Sequence, residues 1–162
     1  MVKTSSPGGA SGKTPFLWLP VTDGSSMDGT RGITAHGDYP IATLGSATAD
    51  GAIRFGSVIP TDFGALTKAV VLVESAESAN LRHTITTDFG AVGETHDTHS
   101  DGITIATLAV TANELVEVNV ILAFTGIAEG DYFGLLYTRN GSDGADTITT
   151  LRCYGLRIEG TA

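Results

Sequence analysis

Hydrophobic and polar residues alternate with a period of two along much of the chain, which is the pattern of half-buried β-strands. Residues 52–59 and 81–87 alternate in this way, whereas residues 68–73 form an apolar run typical of a central strand covered on both faces. Further strands are predicted at residues 16–19, 103–110, 115–124, 132–138 and 151–158. Only residues 61–66 and 111–114 could form helical turns. The pattern predicts about eight strands and an all-β fold.

The last thirty or so residues read as two long strands joined by a loop of Asn, Gly, Ser and Asp, whose turn chemistry is favourable. In the final strand Leu151 and Cys153 share one parity, whereas Leu156 and Ile158 share the other. Gly155 sits where the parity changes, and a β-bulge or bend there would restore the inward register. We expect this segment to be the closing hairpin of a sandwich.

The expected architecture is an eight-stranded antiparallel β-sandwich of jelly-roll type, with an extended N-terminal arm. Residues 21–162 would form the single sandwich domain and residues 1–20 the arm. The start of the arm carries Lys3 and Lys13 and no acid, so it is locally basic, and it has almost nothing apolar to bury. We therefore expect a neighbouring subunit or a larger assembly to hold it.

Composition and charge narrow the classes of function. A net charge of −9 with nine scattered basic residues gives no track for phosphates, which argues against nucleic-acid binding. No apolar run approaches the roughly 18 residues of a membrane span, and the N-terminus lacks a signal-peptide pattern. The lone Cys153 has no internal disulfide partner and is expected to be a buried small hydrophobe. Synthesis in a cytoplasm is therefore expected.

A metal site is the first candidate for chemistry, because residues 94–101 hold two histidines and three carboxylates. Glu94, His96 and His99 are the candidate zinc ligands. Their histidines are spaced i, i+3 in a segment without a helical pattern, unlike the i, i+4 spacing of a zincin helix. The order of residues also fits calcium poorly. The favoured prediction is a polar surface loop, with no metal and no cofactor.

The sequence signals for a catalytic site are weaker than those for a metal site. Residues 142–146 could be a carboxylate pair or a calcium loop, but their turn signals are stronger. His36 and Asp38 lie close together without a Ser or Cys nucleophile on a strand-to-helix elbow, although triad members converge only in space. Residues 8–14 end in Gly-Lys-Thr but follow no strand and run into Pro15, so they are not a phosphate loop. No catalytic residue is predicted.

Aromatic side chains could supply a sugar-stacking platform. The candidates are Trp18, Tyr39, Phe89, Tyr132, Tyr137 and Tyr154. In strands, aromatic residues more often fill a core or a subunit interface. A row of exposed aromatics with polar neighbours on one sheet face would favour carbohydrate binding instead.

Several short segments together resemble a known family. They are residues 59–63 (Ile-Pro-Thr-Asp-Phe), the strand at 68–73, the Thr98-His99-Ser100 loop, Gly130-Asp131-Tyr132, and the strand at 151–159. In these features the chain resembles small jelly-roll virion proteins of tailed bacteriophages, which are capsid decoration or head-fibre-like proteins that often assemble as trimers. The resemblance covers roughly residues 55–160.

The resemblance implies a non-enzymatic virion structural protein, made in the host cytoplasm, that binds the capsid surface as an oligomer and stabilises it. Its partner would be the major capsid protein, and the oligomer a trimer, with an isologous dimer as the other possibility. Lys3, Lys13, Phe16 and Trp18 are the residues expected to contact the capsid or a partner. Two alternatives stay open: a module on a head fibre or tail that binds a surface glycan or receptor, and a metal-dependent hydrolase using Glu94, His96 and His99.

Overall fold

The computed structural model describes residues 14–21, 27–28, 33–45 and 48–161. Over these residues the protein is a β-sandwich of two antiparallel sheets, which confirms the all-β prediction. The strands are β1 Phe16–Pro20, β2 Met27–Asp28, β3 Ile33–His36, β4 Tyr39–Leu44, β5 Gly51–Val58, β6 Leu66–Ser75, β7 Ala79–Gly90, β8 His99–Val110, β9 Leu115–Asn119, β10 Tyr132–Arg139 and β11 Leu151–Gly160. A 3-10 helix spans Ile121–Phe124. Within the described ranges, no helix has the length and apolar character needed to cross a membrane.

The six-stranded sheet has the order β3-β4-β11-β6-β9, and β1 adds to β11. The five-stranded sheet has the order β2-β5-β10-β7-β8. Two strands share one side of β11: β4 pairs with residues 151–153, and β1 pairs with residues 155–159. The first strand therefore lies beside the last strand in the larger sheet, on the same side of β11 as β4.

The core lies between the sheets and follows the predicted alternation. Leu81, His83, Ile85 and Thr87 of β7 are all buried, as expected for one inward face. Strand β10 contributes its predicted inward face in the same way. Cys153 is buried and free, and burial raises the pKa of its thiol to about 12.

The bulge predicted at Gly155 is confirmed. The pairing of β11 with β6 shifts register between Cys153 and Gly155, and Tyr154 is the extra residue. Leu151 and Leu156 are both fully buried despite their opposite parity. The shift turns both halves of β11 inward.

The strand predicted at residues 115–124 is wrong in its second half. Strand β9 ends at Asn119, whose side-chain carbonyl accepts the N–H of Ile121 at 3.0 Å and starts the 3-10 turn. A run of four apolar residues suits either element, so periodicity could not separate them. The two stretches that could form helical turns contain single i→i+3 backbone hydrogen bonds, from Phe63 N–H to Pro60 O and from Glu114 N–H to Thr111 O, but no assigned helix within these described residues.

The prediction that β10 and β11 form a closing hairpin is also wrong, because the two strands lie in opposite sheets. The loop between them crosses the end of the sandwich instead. Arg139, the last residue of β10, points inward and pairs with Asp146 of the loop at 2.7 Å, with both side chains fully buried. Its guanidinium also donates to the carbonyls of Leu44 and Ile148. This buried cluster fixes the crossover.

The predicted number of strands is not confirmed, since the described residues hold eleven. The three that the pattern missed are β2, β3 and β4. Strands β3 and β4 form a hairpin around Gly37, which has a positive φ of 60°. Residues 16–20, expected in the arm, pair with β11 as β1, while residues 1–13 of the arm lie outside the described residues.

Candidate functional site

Exposed aromatic side chains gather on the outer face of the six-stranded sheet. Strand β1 alternates, so that Leu17 and Leu19 pack against the core while Phe16 and Trp18 point outward. Phe16 is 65% exposed and Trp18 is 39% exposed. Tyr39, at the start of β4, is 66% exposed. Large apolar side chains that are exposed together on one face are typical of an interaction surface.

Trp18 and Tyr39, together with Tyr154, line a groove of about 670 Å³, which is within the usual size of a ligand site. The groove is lined by Trp18, Pro20, His36, Gly37, Asp38, Tyr39, Pro40, Leu72, Glu74, Asn113, Leu115 and Tyr154. Five separate parts of the chain supply it, because β1, the β3–β4 hairpin, β6, β9 and β11 belong to one sheet.

The Trp18 ring has its place because Gly155 has no side chain. A Cβ on Gly155 would lie 2.7 and 2.8 Å from two atoms of the indole ring and 2.5 Å from the carbonyl oxygen of Leu19. Any larger residue would have to displace the ring or strand β1. The residues on either side of the bulge residue Tyr154 have different roles. Cys153 packs in the core, and Gly155 makes room for Trp18.

The apolar surface of the groove is made by rings and two leucines. Tyr39 meets Tyr154 edge-on, with ring centroids 5.9 Å apart and an interplanar angle of 75°. Leu72 is half-buried, and Leu115 is 59% exposed. Strand β6 was expected to be covered on both faces, but its outward residue Leu72 instead forms part of this groove.

A polar cluster around Glu74 lies at the bottom of the groove. One carboxylate oxygen of Glu74 accepts the Tyr154 hydroxyl at 2.5 Å; the other accepts Arg152 Nη1 at 2.6 Å and lies 3.3 Å from His36 Nε2. Burial acts to raise the pKa of Glu74, but the Tyr154 hydrogen bond and the charges of His36 and Arg152 together hold it below its usual value. Burial and the Glu74 carboxylate raise the pKa of Tyr154.

These pKa shifts decide what the cluster can do. At neutral pH Glu74 is an ionised acceptor, and Tyr154 is a neutral hydroxyl that donates to it. A general acid or base would need a pKa near the working pH. Glu74 and Tyr154 therefore suit the positioning of a ligand and of the groove's own rings rather than proton transfer.

Two polar side chains of the groove remain available for a ligand. The side chains of Asp38 and Asn113 have no hydrogen-bond or ion-pair partner within the described part of the chain. Asn113 has a positive φ of 57°, an uncommon conformation that its backbone N–H holds by donating to Ser75 O at 2.8 Å. A carboxylate and an amide, one accepting and one able both to donate and to accept, suit hydroxyl groups.

A second depression of about 380 Å³ continues the groove on the same face. It is lined by Phe16, Trp18, Val70, Leu72, Glu117 and Arg157. Trp18 and Leu72 belong to both depressions. Trp18 thus stands at the point where the two parts meet, and together they extend across β1, β11, β6 and β9.

The candidate metal ligands do not come together. Glu94 accepts the backbone N–H of Ala91 and lies 3.9 Å from His99, which stacks on Phe89. His96 is strongly exposed and lies near Asp97 instead. Within the described ranges, no group of three His, Cys, Asp or Glu side chains could hold a metal ion.

The other candidates fall in separate places. Phe89 and Tyr137 are buried in the core, and Tyr132 lies on the five-stranded sheet. In the 142–146 loop, Asp143 makes a turn by accepting Ala145 N–H and pairs with Arg82. His36 and Asp38, weighed as parts of a triad, both line the groove. Of the expected partner contacts, Phe16 and Trp18 lie on the groove face, and Lys3 and Lys13 lie outside the described residues.

Sequence reasoning missed Glu74, Asp38 and Asn113 as residues of a binding surface. Glu74 follows an apolar run and looked like the end of a strand. A signal was present for Asp38, because Gly37-Asp38 is a two-residue turn between two strand-like stretches. Nothing in the sequence indicated that Asn113 has a positive φ.

No protein-family model matches the chain, and no curated protein matches it. Among solved structures, the chain is similar to an isomalto-dextranase from Arthrobacter globiformis T6 in complex with panose, with a TM-score of 0.54 and 15% identity over 88% of this chain. The chain spans only 23% of that enzyme. The similarity shows a shared β-sandwich fold.

Two other solved structures come from Clostridium thermocellum. One is the family 11 carbohydrate-binding module of the cellulosomal cellulase Lic26A-Cel5E, with a TM-score of 0.44 and 8% identity over 93% of this chain and 90% of that chain. The other is a family 11 module in complex with a β-1,3-1,4-mixed-linked tetrasaccharide, with a TM-score of 0.43 and 11% identity over 94% and 98%.

Proposed function

We propose that the protein is a non-enzymatic carbohydrate-binding β-sandwich module that holds its ligand in the groove on the outer face of the six-stranded sheet. The observation that carries the proposal is the placement of Trp18, Tyr39 and Tyr154 in one groove beside Asp38 and Asn113. A row of aromatics with polar neighbours on one sheet face was the feature expected of a carbohydrate-binding module.

The chemistry of sugars matches this surface. A pyranose ring has a face of C–H groups that packs on an aromatic ring and a rim of hydroxyls that need hydrogen-bond partners. Trp18 and Tyr39 offer partly exposed rings, and Asp38 and Asn113 offer polar groups without partners in the described part of the chain. The shared Trp18 lets a chain of sugars continue into the second depression.

The test uses the only tryptophan of the sequence as a reporter of binding. Neutral oligosaccharides of glucose, galactose and xylose are titrated into the protein while Trp18 emission is followed. Calorimetry then compares the wild type with Trp18→Ala and, as a control, Leu122→Ala, an exposed apolar residue outside the groove. We expect Trp18→Ala to weaken binding at least about tenfold, because a central aromatic anchor is lost.

Leu122→Ala should leave the affinity unchanged. The proposal fails if no oligosaccharide of the panel binds, or if Trp18→Ala binds as tightly as the wild type.

The jelly-roll classification is part of the proposal. Strands β4 to β11 form two sets of four, in the orders β4-β11-β6-β9 and β5-β10-β7-β8, which supports an eight-stranded jelly roll. On this description β1, β2 and β3 are additions at the sheet edges.

The virion assignment stays a prediction. It holds that the protein decorates a phage capsid as an oligomer, expected to be a trimer, and contacts the major capsid protein or a partner through Lys3, Lys13, Phe16 and Trp18. The alternative places a carbohydrate- or receptor-binding module on a head fibre or tail. Phe16 and Trp18 lie on an exposed face, which supports their use as contacts of some kind. Sedimentation of the protein with capsids tests this role separately from sugar binding.

A further inference from the structure

We infer that the groove selects uncharged glycans and discriminates against anionic ones such as uronate or sulfated chains. This inference rests on the proposed function and names its substrate class. It comes from the way in which the charges on the groove face are paired.

Three Lys or Arg side chains lie on this face, and a glutamate pairs with each of them. His36, which lines the groove, also lies 3.3 Å from Glu74 Oε1. Lys68 Nζ is 2.6 Å from Glu117 Oε2, and Arg157 Nη2 is 2.8 Å from Glu159 Oε1. Arg152 Nη1 is 2.6 Å from Glu74 Oε1. Recognition of a sugar carboxylate or sulfate uses Arg or Lys groups that are free to form charge-assisted hydrogen bonds with it. Every basic side chain on the described part of this face is already engaged.

Separating these pairs would be costly where they are buried. Glu74 has only 9% of its side chain exposed and holds Arg152, Tyr154 and His36 together. An anionic ligand that took Arg152 would leave the Glu74 carboxylate buried without its main counter-charge. The arginine is therefore a poor partner for a ligand anion.

The group that is open to the ligand is itself negative. Asp38 lines the groove with no ion-pair partner among the described residues, and Glu117 lines the second depression. A carboxylate accepts hydrogen bonds from neutral hydroxyls but repels a sugar carboxylate or sulfate. The net charge of −9 adds repulsion at longer range.

The experiment compares matched pairs of polymers that differ in charge: dextran with dextran sulfate, and galactan with polygalacturonate. Binding to the full chain is measured by affinity electrophoresis and calorimetry at low and high NaCl. We expect a neutral member to bind with an affinity that salt hardly changes, and its anionic partner to bind at least about tenfold more weakly.

Glu117→Gln gives the converse test, because it releases Lys68 from its ion pair. We expect it to raise the affinity for the anionic polymer about two- to fivefold at low salt, and the gain should vanish at high salt. Glu129→Gln is the matched control. It changes the net charge equally but lies outside the groove, and should have no such effect.

The outcomes separate this inference from the proposed function. If an anionic polymer binds more tightly than its neutral partner through Trp18, and salt weakens that binding, the inference is overturned while carbohydrate binding stands. If the neutral polymers bind but Glu117→Gln behaves like Glu129→Gln, the assigned role of the ion pairs is overturned. If no polymer binds, both the proposed function and the inference fail.

Discussion

Gly155 illustrates how a residue without a side chain can shape a binding site, because it leaves room for the Trp18 ring. Gly155 was recognisable in the sequence as the point where β11 changes parity, and the structure confirms that bulge. Its second role, to leave room for the indole ring of a residue more than a hundred positions away, depends on the pairing of β1 with β11. Sequence patterns contain no information on such a contact.

Gly155→Ala should therefore impair both stability and binding. The added Cβ would clash with the Leu19 carbonyl and the Trp18 ring, so β1 or the ring must move. We expect a loss of about 1–3 kcal/mol in the free energy of unfolding, measured by denaturant titration, and a changed Trp18 emission spectrum. Weaker glycan binding should accompany these changes.

Gly134→Ala is the matched control, because Gly134 also lies within a strand but a Cβ there meets nothing within 4 Å. It should change stability by less than about 1 kcal/mol and leave the emission unaltered. Equal effects of the two substitutions would contradict the role assigned to Gly155.

Individual strands were predictable where one face is buried and the other exposed. Strands β5, β7 and β10 have clean alternation, and their inward residues are those that the alternation indicated. The short strands β2 and β3 have no comparable pattern. They exist because a neighbouring strand offers hydrogen bonds, which is a tertiary effect.

The connections between elements were much less predictable. The loop after β10 has the turn residues of a hairpin, but Arg139 and Asp146 bury their ion pair between the sheets and carry the chain across. An arginine at the end of a strand looks like a solvated charge in the sequence. Its burial follows from four acceptor atoms that come together only in the fold: both carboxylate oxygens of Asp146 and the carbonyl oxygens of Leu44 and Ile148.

Arg139→Met should be strongly destabilising, because it leaves the buried Asp146 carboxylate without its counter-charge. We expect a loss of about 3–5 kcal/mol in the free energy of unfolding, measured by chemical denaturation.

Arg157→Met removes a partly exposed ion pair and serves as the comparison, with an expected loss of at most about 1 kcal/mol. Similar losses for the two variants would show that the crossover does not depend on the buried pair.

At the scale of the whole molecule, the binding face could not be predicted from the sequence. Trp18, Tyr39 and Tyr154 are far apart along the chain and were indistinguishable from Phe89 and Tyr137, which fill the core. The sandwich topology brings the first three to one face. The same topology makes the outward positions of β6 a groove floor, although the apolar run suggested a strand covered on both sides.

The charged side chains on the groove face are paired with one another. The chain is acidic overall, but on the described part of the groove face three glutamates match Lys68, Arg152 and Arg157, and Glu74 also contacts His36. Asp38 is the carboxylate of the groove that has no partner among these residues. A nearly neutral face that carries aromatic rings and polar groups able to hydrogen-bond hydroxyls is well suited to a polar, uncharged polymer. This balance is the feature that joins the proposed function to its expected ligand class.

The most direct test of the central claim is to map the bound glycan by NMR on the ¹⁵N-labelled protein. A neutral oligosaccharide that binds is titrated in, and the shifts of the backbone amides and of the single indole N–H are followed. The account predicts that the largest changes lie in β1, around Gly37 and Asn113, and in β11 near Tyr154, with the Trp18 indole among them. Changes confined to the five-stranded sheet around Tyr132, or no changes at all, would contradict it.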